Sequence, residues 1–196
     1  MEPIAILRSD ISRLNIDIPA KERAQFEQQL EERFYPKKSI IFSQVSICSE
    51  VLFIAGGITA SGFVTEDGNP MINRFFQKNN LCSNIVSAVT NSMASDNVFA
   101  ITTTSAVSIP YELFYECYLR SGKFGEYLRI KLLHTLLEDK DFLSIKTISD
   151  TTVKYRFLAD KYREILALVP QKDIANFLGL TPEGFSRFLR KYHCKS

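Results

Sequence analysis

The 196 residues are enough for one large domain or two small ones, and with 45% hydrophobic and 23% charged residues they read as an ordinary globular chain with a core. No apolar run approaches the roughly 18 residues of a membrane-crossing helix, and residues 1–14 lack the basic start, apolar stretch and small-residue cleavage site of a secretory leader, so a cytoplasmic protein with no membrane partner is expected. The net charge of +2 is unevenly spread: from Lys154 onward nine Lys/Arg face four Asp/Glu, a balance of +5, while the rest of the chain carries −3, which points to an anionic partner for the C-terminal piece.

Three styles of sequence follow one another. The first, to about Phe34, is predicted helical, with Asp17 as a cap, Pro19 near the first turn, and Phe26, Leu30 and Phe34 four apart on one face. Over residues 38–110 short apolar or alternating runs, rich in β-branched and aromatic residues, are broken by turn residues. Gly56-Gly57 and Asp67-Gly68 read as hairpin turns, and GFVTEDGNPMINRFF as two strands around residues 66–70. This spacing predicts an antiparallel sandwich or barrel.

From Tyr111 the chain turns helical again. A short helix precedes a long one over residues 123–143, in which Phe124, Tyr127, Leu128, Ile130, Leu132, Leu133, Leu136 and Leu137 are apolar. That is too many for one stripe, so more than one side must be buried. One side can lie on the β region and another on a second copy of the chain, giving a homodimer; the alternative is a helix wedged inside a monomer. Asp150-Thr151-Thr152 makes a helix start and a hinge, and a helix to about Leu168 follows.

Residues 170–192 read PQKDIANFLGLTPEGFSRFLRKY. Ile174, Leu178, Leu180, Phe185 and Phe188 are apolar, Ala175 is small enough for two helices to cross closely, and Gly179 can turn the chain after the first helix. Thr181 is an N-cap, Pro182 a favoured first helical residue, and Glu183 sits in the positive first turn. The second helix, over 182–191, then turns Glu183, Gly184, Ser186, Arg187, Arg190 and Lys191 outward. Arg187 suits guanine O6/N7 and Glu183 cytosine N4. Thr181, Ser186, Arg190, Lys191 and Lys172 suit phosphates, and Gln171 opens the motif. A solvated hairpin with a Glu183–Arg187 pair would explain part of this pattern. The small Ala, turn Gly, cap and basic face in one register point instead to a helix-turn-helix and to double-stranded DNA.

Cys48, Cys82, Cys117 and Cys194 are scattered with no C-x-x-C pair, so they read as free thiols, with no metal site and no iron–sulfur cluster. Residues 38–110 contain no His, which removes a metal enzyme built on the barrel. No nucleophile with a His partner is evident, and His134 and His193 read as surface histidines rather than haem ligands. The chain is therefore expected not to be an enzyme and to carry no cofactor.

A β-rich region, a long helix and a C-terminal helix-turn-helix, in this order, resemble the Crp/Fnr family of bacterial transcription regulators. EVLFIAGGITASGFVTEDGNPMINRFFQKNNL looks like the family's cyclic-nucleotide-binding-type sensor, and VPQKDIANFLGLTPEGFSRFLRKY is the most specific part, closest to the short Bacteroidetes-type members. The resemblance implies an α+β protein: an antiparallel, jelly-roll-like β-roll with flanking helices over residues 1–120, a long dimerisation helix and hinge over 121–149, and an all-α helix-turn-helix domain over 150–196. It implies a homodimer joined by the long helix on a near-palindromic operator. Only four residues follow Tyr192, so the family's two-stranded wing is expected to be incomplete. Nucleotide-binding members carry a Gly-Glu pair and an Arg-Ser or Arg-Thr pair in the sensor. The first falls near Ser83-Asn84, followed by Ile85, and the second near Ala94-Ser95. Without the acid and the arginine a cyclic phosphate loses its charge-assisted bonds, so an effector other than cyclic AMP, or none, is expected. The alternative is a small-molecule sensor whose helical tail has lost DNA binding.

Overall fold

The computed structural model describes residues 2–64 and 70–194, so the expected turn at residues 66–70, with Asp67-Gly68, lies outside the described residues apart from Pro70. Two helices, α1 (Pro3–Arg13) and α2 (Ala20–Glu27), lead into β1 (Glu31–Tyr35), β2 (Ile40–Phe42), β3 (Glu50–Gly56), β4 (Thr59–Val64), β5 (Pro70–Phe76) and β6 (Leu81–Cys82). After α3 (Ile85–Thr90) come β7 (Asn97–Ala100) and β8 (Thr104–Pro110). Helices α4 (Tyr111–Leu119), α5 (Lys123–Thr147), α6 (Thr151–Lys161), α7 (Arg163–Leu168), α8 (Gln171–Leu178) and α9 (Pro182–His193) complete the chain.

The strands form two four-stranded sheets, in the orders β1-β8-β3-β6 and β2-β7-β4-β5, with every pairing antiparallel. Side chains alternate across a strand, and β3 shows why its run is apolar throughout. Leu52 and Ile54 join Phe42, Phe76, Val98 and Ala106 between the sheets, whereas Val51, Phe53 and Ala55 face a second cluster built with α1, α2, α4 and α5. The chain is thus a β-roll with α1, α2, α4 and the start of α5 against one sheet and the end of α5 with the last helices against β5 of the other, an α+β fold. Among the described residues no helix is long and apolar enough to cross a membrane.

Four expectations need correction. The first stretch is not helical to Phe34: α2 ends at Glu27, its N-cap is Pro19 with no side-chain cap bond from Asp17, and Phe34 is 67% exposed on β1. Pairing of β1 with β8 overrides the four-residue spacing. Gly56-Gly57 is not a hairpin turn between paired strands, because β3 and β4 lie in different sheets. Gly57 has φ +84°, and a Cβ there would stand 2.3 Å from the Thr103 carbonyl oxygen. The long helix runs on to Thr147. The expected helix to Leu168 breaks at Tyr162 (φ −129°, ψ 48°), whose hydroxyl donates to Asp141 at 2.9 Å and whose ring stacks on Phe142.

Helix α5 joins the parts. Near its start Phe124, Tyr127 and Leu128 are buried against α1 and the roll. Asp10, inside that contact, accepts from Tyr127 Oη and Lys131 Nζ at 2.9 Å and from Arg13 at 2.7 Å. Further on, Phe142 and Ile145 enter a cluster that holds Ile72 and Phe75 of β5 together with Leu158, Ile165, Ile174, Phe177 and Phe185 of the last helices. The Ile72 amide donates to Asn176 Oδ1 at 2.8 Å, and Lys146 Nζ donates to the Ile72 carbonyl at 2.8 Å and to Asn73 Oδ1 at 2.9 Å. Asp150 does cap α6, accepting from the amides of Thr152 and Val153. Beside it, α8 is docked directly on β5.

Candidate nucleic-acid interface

The candidate interface begins with the turn between α8 and α9. Gly179 takes φ +76°, which lets the Leu180 amide reach the Ala175 carbonyl at 2.8 Å and the Gly179 amide that of Asn176 at 3.0 Å. These two bonds form a Schellman motif and satisfy the carbonyls that end α8. Thr181, with extended backbone, then caps α9 by accepting from the Gly184 amide at 3.0 Å. A Cβ on Gly184 would stand 3.1 Å from that same Thr181 oxygen, so the glycine leaves room for the cap.

Packing sets how α9 is rotated. Phe185 is buried, and Tyr155 of α6 meets the rings of Phe185, Phe188 and Tyr192 at 6.0, 5.5 and 5.0 Å. Ala175 is fully buried at the helix crossing, with Ile174, Phe177 and Leu178 buried around it. The opposite face of α9 exposes Glu183, Ser186, Arg187, Arg190 and Lys191, with Gly184 half-buried. Gln171 and Lys172, in the first turn of α8, and Thr181 are exposed as well. Two helices, one turn and one basic, solvent-facing surface thus stand together.

A second feature lies where the roll meets α5. A cleft of about 230 Å³ is lined by Ser83, Asn84, Ile85 and Ser95 together with Arg74, Asp96 and Asp139. Ala94 is buried, its amide bound to the Ser46 carbonyl at 3.1 Å, and does not line the cleft. Ser83 Oγ donates to the Glu50 carbonyl at 3.0 Å and Asn84 Nδ2 to the Asp96 carbonyl at 2.9 Å. Burial pushes the Asp96 carboxyl up from its ordinary value, against the hydroxyls of Ser95 and Ser61 that pull it down. Sequence reasoning missed Arg74. It is buried on β5, lies 4.3 Å over the Phe76 ring, and is paired with Glu138 (3.2 Å) and Asp139 of α5. An arginine inside the apolar run MINRFF was the available signal, because a buried arginine must find acids.

No protein-family model matches the sequence, and no curated protein is recognisably similar to it. Solved structures are similar in fold. FixK2 from Bradyrhizobium japonicum superposes with a TM-score of 0.68 at 19% identity, covering 85% of both chains. The c-di-GMP-responsive global regulator CLP of Xanthomonas campestris gives 0.68 at 17% identity, over 90% of this chain and 93% of that one. A chain described as a transcriptional regulator of the Crp/Fnr family, from Eubacterium rectale, gives 0.64 at 17% identity, over 91% and 85%. Similar over 85–91% of its length, the chain has the fold of the Crp/Fnr regulators.

Proposed function

We propose that the chain is a DNA-binding transcription regulator, acting as a homodimer on a near-palindromic operator, and not an enzyme. The observation that carries this reading is the capped helix α9, locked to α6 by its aromatic face and presenting Arg187, Arg190 and Lys191 to solvent. In this reading the N-terminal part of α9 enters the major groove, where Arg187 donates to guanine O6/N7 and Glu183 accepts from cytosine N4. Gln171, Lys172, Thr181, Ser186, Arg190 and Lys191 hold phosphates, and Gly184 lets the backbone come close. Residues 1–120 act as sensor, 121–149 as dimerisation helix and 150–196 as the DNA-binding part.

The sensor cleft favours an effector other than cyclic AMP. Its arginine is already neutralised by Glu138 and Asp139, and Asp96 adds a further acid to its wall. A cyclic phosphate entering it would have to displace those carboxylates.

Selection from random duplexes tests the DNA-binding reading. Wild type should enrich a two-fold symmetric site. Arg187→Ala should relax the preference at one base pair of each half-site, a cost of about 1–3 kcal/mol per base pair read. Identical, sequence-blind binding by both proteins would remove the role given to α9.

A further inference from the structure

Three charged side chains line the cleft between the roll and α5: Arg74, Asp96 and Asp139. Arg74 already has two acids, Glu138 at 3.2 Å and Asp139. Asp96 is in no ion pair among the described residues. It accepts from the Ser95 hydroxyl at 3.3 Å, from the Ser61 hydroxyl and from its own amide. One guanidinium thus stands against three carboxylates, so the cleft is an anionic site.

Burial acts on Asp96 without a counter-charge. It pushes the carboxyl up from its ordinary value, and the hydroxyls and the amide, which pull it down, do not cancel the shift. A cationic donor is the partner that such a carboxylate lacks, since a charge-assisted hydrogen bond is roughly twice as strong as a neutral one. The rest of the cleft sets the body of the ligand. Its volume, about 230 Å³, lies below the roughly 300–1,000 Å³ of sites for drug-sized molecules. Val51, Phe76, Leu81, Phe114 and Leu132 give it apolar walls. The Arg74 Nε is buried with no acceptor among the described residues, but Glu138 and Asp139 would repel an anionic oxygen brought to it.

We propose that the cleft binds a small organic cation, a primary amine on a compact apolar body, with the ammonium held by Asp96 and the hydroxyls of Ser61 and Ser95. The proposal rests on the reading of this cleft as the effector site and names the class of ligand for it. An ammonium carries three donors, which one carboxylate and two hydroxyls can accept. Asp10, a carboxylate buried inside the fold, has Lys131 and Arg13 beside it. Asp96 has no such partner and lines a cleft.

The test uses three probes that share a body and differ in the head: benzylamine, benzyl alcohol and benzoate. Each is titrated into the full chain at neutral pH, and binding is followed by protein NMR. Benzylamine should bind at least about tenfold more tightly than benzyl alcohol, the margin of a hydrogen bond to a charged group over a neutral one, and benzoate should bind most weakly. Asp96→Asn should erase the preference for the amine and leave the affinity for the alcohol unchanged. That variant should also unfold at the wild-type temperature or above it, because at neutral pH a carboxylate whose pKa the fold raises detracts from stability. Equal affinity for amine and alcohol, an amine preference that survives Asp96→Asn, or a clear loss of stability in the variant would overturn the proposal. Binding of the alcohol without preference for the amine removes the proposal and leaves the effector reading of the cleft. Binding of none of the three removes both.

Discussion

The hydroxyl of Tyr127 lies inside the protein, 2.9 Å from Asp10, a residue 117 positions away in sequence. Burial first, and then the charge of Asp10 and its hydrogen bond, hold the Tyr127 pKa well above its ordinary value of 10.0. Tyr162 is raised in the same direction by burial and by its bond to Asp141. A folded state that keeps a proton longer than the unfolded chain loses stability as pH rises past the unfolded value. Stability should thus be level around neutrality and decline above about pH 10, the ordinary tyrosine value. Tyr127→Phe should cost about 1 kcal/mol at neutral pH through removal of the hydrogen bond and make the alkaline decline shallower, with the Tyr162 share retained. Urea unfolding of both proteins at pH 7 to 11 checks this; an unchanged alkaline slope would mean that Tyr127 does not stay protonated in the fold. The Asp10–Tyr127–Lys131 cluster and the Arg74 pairing were illegible in the sequence because their partners meet only after the chain has folded. Thr181, Pro182 and Gly179 were legible, because caps and positive-φ turns are chemistry between near neighbours.

Among the described helices and strands, α5 exposes four large apolar side chains, more than any other. Leu133, Leu136, Leu137 and Leu143 are 57%, 64%, 55% and 66% exposed, although the same helix buries Phe124, Tyr127, Leu128, Phe142 and Ile145 elsewhere. Leucines three and four apart form one stripe, the pattern that a second helix covers in a coiled coil. In the homodimer reading, Leu133→Gln with Leu136→Gln should turn a dimer into a monomer in sedimentation equilibrium and leave the helical circular dichroism signal intact. A wild type that is monomeric at tens of micromolar, roughly 6–7 kcal/mol or less of association energy, would contradict it. Element type was readable where periodicity ran long, as in α5, or where a short apolar run was bounded by turns, as in β3. It failed where tertiary pairing decides. The spacing of Phe26, Leu30 and Phe34 mimics a helix, but β8 needs an edge partner and takes β1. The break at Tyr162 is invisible locally because it depends on Asp141 and Phe142 of α5.

Across the molecule, the roll, α5 and the last helices share one buried cluster through Ile72, Phe75, Phe142 and Phe177. Asn176 and Lys146 fasten that contact with hydrogen bonds to β5. Helix α8 therefore packs on both elements that Arg74 ties at the cleft, β5 and α5. The order of β-rich region, long helix and helix pair was legible from composition shifts and caps; the docking of α8 on β5 was not, since it joins residues 104 apart. A scaffold that holds a sequence-reading helix against DNA must distinguish one duplex from another. The affinity of the wild-type protein for its selected duplex and for a scrambled one, measured as a function of salt, therefore tests the DNA-binding reading at its root. A preference of at least about a thousandfold for the selected duplex is expected, with both affinities falling steeply as salt rises; equal affinity for the two duplexes at every salt concentration would refute that reading.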